Sequence, residues 1–226
     1  MARQIRKSSL VEQIRAVLRE EIVSLRLAPG QKLNVISLSE QFGVSRTPIR
    51  DALQLLVEEG LVVVAPRVGW YVVKLSDDDV REISGIRKMI ELFAFDQARL
   101  PLAAVEEMRR ATLALKEVPP AERRRAFERL DRKFHLDLIR SAGNNRLFEF
   151  SARIHAFVDV MRNLNRRVDE ALEEHLAILE ALYRGDREGA RRALAAHLDA
   201  VTGAILAARA PGGESAGEAA ALSREA

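Results

Sequence analysis

Cysteine is absent from the 226-residue chain. That excludes disulfides, thiolate metal sites and cysteine nucleophiles, and it suits a reducing cytoplasm. Long apolar runs are absent too: nothing approaches the roughly 18 consecutive apolar residues that span a membrane. The basic start, Met1 to Gln13, leads into neither an apolar core nor a small-residue cleavage site. The chain therefore reads as cytoplasmic, with no secretory signal and no membrane partner. Histidine is scarce, at four residues, and neither an HExxH helix nor a Ser/His/Asp ordering occurs, so an enzyme is not expected. No internal repeat is visible.

What is present is uneven. The net charge is only +3, but residues 1–75 hold 11 Lys+Arg against 7 Asp+Glu, while residues 76–208 are balanced. A compact basic segment followed by a neutral one hints at a polyanionic partner for the first. Residues 1–7 read as a loose basic arm, and Ser9-x-x-Glu12 has the form of a capping box. Leu10, Ile14, Val17, Leu18 and Ile22 then share a helical face. Pro29-Gly30 marks a turn. A short helix is expected after Asn34, with Ile36, Leu38 and Phe42 inward, and Gly43 ends it. Ser45 heads a third helix to about Glu59, with Ile49, Leu53 and Leu56 buried. Leu61–Val64 and Trp70–Val73 are β-rich runs around a Pro66/Gly69 loop and read as a hairpin. Three helices and a hairpin make a winged helix-turn-helix.

Beyond Ser76 the pattern is helical throughout. Six helices are expected, at 77–99, 101–117, 120–142, 144–164, 168–184 and 186–208. Pro101, Pro119-Pro120, Gly143-Asn144 and Gly185-Asp186 punctuate them. The fold class is thus mostly α: a winged helix-turn-helix over 1–75 and an all-α antiparallel bundle over 76–208. Residues 209–226, small and polar, are expected to be a disordered tail.

The most informative stretch is Gly43-Val44-Ser45-Arg46-Thr47-Pro48-Ile49-Arg50-Asp51-Ala52-Leu53. A reading helix contacts base edges from its N-terminal residues in the major groove. Arg46 and Arg50, four apart, share a face, and arginine suits guanine O6 and N7. Ser45 can cap the helix, and Thr47 can hold phosphate. Arg67, beside Gly69, suits the minor groove or a phosphate. Two arginines alone are equally what a solvated helix carries; their place ahead of a basic-tipped hairpin is what favours DNA.

These pieces together resemble a known family. Leu27-x-Pro29-Gly30-x-x-Leu33, the run Ser45–Leu53, Glu59-Gly60-Leu61 and Pro66-Arg67-x-Gly69 look like the GntR family of bacterial regulators. The resemblance implies homodimers on short palindromic operators. It places DNA contacts on Ser45, Arg46, Thr47, Arg50, Arg67 and Gly69. Ile36 stands where some members carry a further arginine, and Val35 stands where many have glutamate.

In the second segment Asp131 and His135 lie four apart on one helix face, and His175 and His197 lie on the last two helices. Packing of these helices can bring the four together as ligands for Zn²⁺, Ni²⁺, Mn²⁺ or Fe²⁺. Spacing alone equally allows each histidine to be an ordinary hydrogen-bonded residue. Asp131-x-x-x-His135 with Gly143-Asn144, Glu174-His175, Gly185-Asp186 and His197 resemble the ligand-binding FCD domain of the FadR subfamily, in its six-helix, VanR-like branch. The resemblance implies a divalent metal on Asp131, His135, His175 and His197. It also implies a small carboxylate effector, with Arg87 helping to bind it. By its spacing alone, Arg87 with Glu91 is an i,i+4 surface ion pair; His155 is left as structural. The expected function is an effector-controlled DNA-binding regulator, a repressor in the leading reading. The alternative is a sensor in which the metal itself is the signal.

Overall fold

The computed structural model describes residues 10–164 and 167–209. The basic arm, the Ser9 cap and all but the first residue of the expected tail lie outside the described residues. The chain divides into two compact units between Ser76 and Asp77.

The first unit contains α1 (Leu10–Val23), β1 (Lys32–Leu33), α2 (Val35–Phe42), α3 (Arg46–Glu58), β2 (Val62–Ala65) and β3 (Gly69–Val72). Its core is a stripe on each helix. On α1, Ile14, Leu18 and Ile22 are buried four apart. Leu10 and Val17, expected on that face, are 49% and 45% exposed. On α3, Ile49, Ala52, Leu53 and Leu56 are buried, and each fully buried aliphatic side chain contributes about 1.5–3 kcal/mol. On α2 the expectation for Ile36 is also corrected. The inward stripe runs through Leu38, Ser39 and Phe42, and Ile36, one residue off it, is exposed. Asn34 starts α2, its side chain accepting hydrogen bonds from the amides of Ile36 and Ser37. Gly43 ends α2 at φ 64°, the left-handed geometry glycine adopts without steric cost, and the chain turns at once into α3.

The wing is a three-stranded antiparallel sheet in the order β1-β3-β2, rather than a hairpin alone. Val62 pairs with Val72 and Ala65 with Gly69, while Leu33 of β1 pairs with Trp70. β1 is two residues long, too short to leave a periodic signal in the sequence.

The second unit has six α-helices among the described residues: α4 (Asp77–Gln97), α5 (Leu102–Ala114), α6 (Pro120–Ser141), α7 (Asn145–Leu164), α8 (Val168–Tyr183) and α9 (Arg187–Ala207). They follow the expected spans, except that the end of the second tightens into a 3-10 turn, Leu115–Glu117. Three aspartates open α4, where the helix dipole favours negative charge. α8 and α9 form an antiparallel pair, and α4 touches α6, α7 and α9. The main core joins Phe95, Phe134, Leu138, Ile178, Leu194 and Leu198. At the other end of α4, the Arg187 guanidinium donates to the backbone oxygens of Phe95, Asp96 and Ala98, locking α9 to that terminus.

Candidate functional site

In the first unit, Ser45, Arg46, Thr47, Arg50 and Arg67 are all exposed. Burial of Ile49 and Leu53 turns the opposite side of α3 outward, and Arg46 and Arg50 stand on it. Among the described residues none of Arg46, Arg50 and Arg67 forms a salt bridge, whereas Arg15 and Arg19 are both held by Glu59. Ser45 occupies the N-cap position in an extended conformation but makes no capping hydrogen bond. That corrects the expected cap: the Ser45 side chain does not hold the first turn of α3. Arg67 sits at the wing tip with φ 64°. A non-glycine residue there costs about 1–2 kcal/mol, and such outliers gather where function requires them.

In the second unit, α6 carries Asp131 and His135 one turn apart, α8 carries His175 and α9 carries His197. All four are buried, and one donor atom from each lies within 4.8 Å of all the others. His175 Nε2 stands 3.1 Å from Asp131 Oδ1 and 3.3 Å from His197 Nε2. His135 Nε2 is 3.5 Å from Asp131 Oδ1. Donors around a tetrahedral zinc, with bonds of 2.0–2.1 Å, sit about 3.3 Å apart, so these spacings fit one ion.

Two carboxylates, read from sequence only as an ion-pair partner and as part of a motif, decide which ring nitrogens point inward. Glu91 of α4 accepts from His135 Nδ1 at 2.5 Å, and Glu174 of α8 accepts from His197 Nδ1 at 2.8 Å. An ionised carboxylate only accepts, so each Nδ1 carries a proton, and it is the Nε2 of the neutral ring that offers a lone pair to the centre. Metal-binding histidines are oriented in this way. His135 Nε2 is buried and has no hydrogen-bond partner. A buried orphan of this kind costs about 1–3 kcal/mol, a cost that a cation would remove.

Charge surrounds the cluster. Arg162 of α7, missed from sequence, donates through Nε to Asp131 and through Nη1 to Asp159 at 2.6 Å. Arg87 donates to Glu91 at 2.8 Å, and the pair is buried, with side chains 8% and 3% exposed, not the surface pair its spacing suggests. Burial opposes ionisation of Glu91 most strongly, yet His135 and Arg87 together outweigh it and hold its pKa at about 2. Burial likewise opposes the Asp131 charge, and Arg162 and His135 carry its pKa well below the carboxylate range. Burial pushes His175 down to about 4 and lowers His197. For His135 burial pulls downward, but Glu91 and Asp131 together raise the pKa on balance. His155 is not in the donor cluster. It lines a void of about 10 Å³ with Arg87, Glu91, His135 and Arg162. A second void, of about 20 Å³, is lined by Arg87, Asp131, Arg162, Arg167 and His197.

A winged helix with unpaired arginines on its third helix, joined to a helical unit built round a buried donor cluster, defines a DNA-binding protein of the winged-helix class. The profile of the bacterial regulatory proteins, gntR family, matches residues 10–72, and that of the FCD domain matches residues 82–200. An HTH-type transcriptional regulator of Streptomyces ambofaciens, from an unstable DNA locus, is 34% identical over 81% of this chain and 80% of its own. The HTH-type transcriptional repressor RspR of Escherichia coli is 32% identical over 86% and 88%. Among solved structures, the Zn²⁺-bound FCD domain of the transcriptional regulator TM0439 is 27% identical, with a TM-score of 0.53, over 61% of this chain and 98% of that one. The chain belongs to the GntR family of transcriptional regulators, with an FCD domain as its second part. It is a DNA-binding regulator and not an enzyme. Among the described residues no helix is long and apolar enough to cross a membrane.

Proposed function

We propose that the protein is a repressor whose grip on a palindromic operator is set by a small organic acid bound at a divalent metal in the helical unit. The observation that carries this reading is the convergence of the buried Asp131, His135, His175 and His197, with two of the three imidazoles oriented by carboxylates. These four would hold the ion. Three imidazoles and a carboxylate suit Zn²⁺, Ni²⁺, Mn²⁺ or Fe²⁺. When bound, the metal supplies a Lewis-acidic point for a carboxylate.

Charge favours an anionic effector. The fully enclosed charges are the guanidiniums of Arg87 and Arg162 against the carboxylates of Glu91, Asp131 and Asp159. With neutral imidazoles the chamber is net negative by one; a divalent ion reverses the sign. Arg87 and Arg162 line both voids beside the cluster, and Arg162 Nη2 has no hydrogen-bond partner among the described residues. Both arginines are therefore assigned to the effector.

The division of labour assigns residues 1–75 to DNA and 76–208 to the ligand. Arg46 and Arg50 read bases in the major groove, Ser45 and Thr47 hold phosphate, and the wing at Arg67 and Gly69 reaches the flanking groove or backbone. Homodimers, acting in the cytoplasm, would present two recognition helices to successive half-sites. Met89 and Phe93, four apart on α4 and 62% and 49% exposed, support a second copy covering that helix. Repression is favoured because RspR is a repressor by name. The effector acts only as far as its affinity differs between the two states of the protein.

One observation favours the second reading, in which the ion alone is the signal. A void of about 20 Å³ has room for an ion and a water-sized ligand but not for an organic acid. On the first reading, effector binding must open the chamber. Operator binding measured after chelation, with metal restored, and with metal plus small carboxylates separates the two. Release by metal alone overturns the effector reading, and indifference to both metal and acid overturns both.

A further inference from the structure

The largest cavity described in the second unit is not at the histidine cluster. About 200 Å³ of space lies between α5, α6 and α8, walled by Met108 and Ala111, Phe134 and Leu138, and Leu179 and Leu182. Ala104 and Glu107 are exposed, so the space opens on the α5 side. We propose that this is a second ligand site, for an uncharged apolar molecule the size of one or two fused rings, and that it communicates with the histidine cluster through Phe134.

Size and charge set the ligand class. An apolar cavity of roughly 150 Å³ stays dry and accepts benzene, so this one holds a somewhat larger ring. The lining offers no unpaired cation for a carboxylate: Lys133 is 2.5 Å from Asp137, and Glu107 repels anions. That separates the site from the arginine-lined chamber at the cluster. The two sites share one wall. The Phe134 ring packs against His135 and His175, with centroids 5.1 and 4.9 Å away. A ring pressed against its other face shifts the side chain that sets the spacing of two donors. The coupling rests on the metal reading; the cavity site itself does not.

Calorimetric titration of the full chain with indole, in excess chelator, tests the site directly. One-to-one binding is expected, with indole-3-acetate weaker by about tenfold or more because its carboxylate must be desolvated. Met108→Trp and Ala111→Phe fill the space from the α5 side. Both should lose indole binding while keeping wild-type helicity and cooperative melting. Failure of indole to bind, or binding that survives both fillings, overturns the site. Loss of indole binding in His175→Ala places the ring at the cluster and overturns it equally. For the coupling, the metal dissociation constant is measured with and without saturating indole. A change is expected, and indole affinity must change by the same factor when metal is added; no change removes the coupling. Should no metal bind, the metal reading falls, and the titration in chelator still decides the cavity.

Discussion

Glu91 is the residue through which the metal reading can be tested most sharply, because it acts on the cluster without being a donor. Glu91→Gln keeps the shape and an oxygen for His135 Nδ1, but removes the charge. Two effects follow, and they separate experimentally. In the metal-free protein, the fold holds Glu91 at a pKa of about 2 against its ordinary 4.5. The native state thus prefers the ionised form, and the gap corresponds to at most about 3 kcal/mol. That stability is fully present above pH 4.5 and is lost as the pH falls toward 2. The variant should therefore melt lower at neutral pH, by up to about 10 °C for a unit of this size. Its melting point should also fall less steeply with acid between pH 4.5 and 2. With metal, a partner that orients a ligand from behind is worth about 10–100-fold in affinity, so saturating metal should stabilise the variant by about 1–3 kcal/mol less than wild type. Thermal melts in chelator and in metal, with competition against a chromophoric chelator, read both quantities. Metal affinity within twofold of wild type would refute the claim that Glu91 orients His135.

The other predictions concern the histidine protons and the winged unit. Burial opposes the His135 charge, but Glu91 and Asp131 together raise its pKa, so a metal arriving below that raised pKa must displace a proton there. Calorimetry in two buffers of different ionisation enthalpy should register proton release that shrinks as pH rises through the His135 pKa; a heat that is the same in both buffers at every pH counts against it. Arg46→Ala and Arg50→Ala should each cost about 1–3 kcal/mol of operator discrimination in gel-shift assays with no loss of thermal stability. If both bind operator normally, α3 is not the reading helix. Arg67→Gly relieves a left-handed residue and should stabilise the winged unit by about 1 kcal/mol. In the same variant the slope of log affinity against log salt should fall by about 1, through loss of one phosphate contact; an unchanged slope removes the wing from the interface.

Much of this architecture was readable in the chain itself. The elements of the winged unit follow from turn residues and periodicity: Asn34 caps α2, Gly43 ends it, and burial of Ile49, Leu53 and Leu56 aims Arg46 and Arg50 outward. The punctuation at Pro101, Pro119, Gly143 and Gly185 sets the helices of the second unit because proline cannot continue a helix and glycine ends one. The site was partly legible too. The four-residue step puts Asp131 and His135 on one face, and His175 and His197 lie at nearly equal distances on either side of the Gly185–Asp186 turn. Individual faces were less secure. Ile36, Leu10 and Val17 look inward by composition but fall outside the buried stripes, which packing decides.

Only the tertiary structure decided which polar groups meet. Glu91 and Arg87 read as an ordinary i,i+4 pair until α4 proves to lie against α6 and α7, where burial turns them into the support of His135. Arg162 reads locally as an ordinary i,i+3 pair with Asp159; its partner at the cluster, Asp131, lies 31 residues away on another helix. The apolar cavity beside Phe134 is likewise invisible in sequence, since a void is a property of how three helices fail to close, not of any residue. Local propensity and periodicity are short-range and survive in the sequence. Convergence of charge, orientation of a ring nitrogen and empty space are set by helices far apart in the chain, and they exist only once those helices have packed.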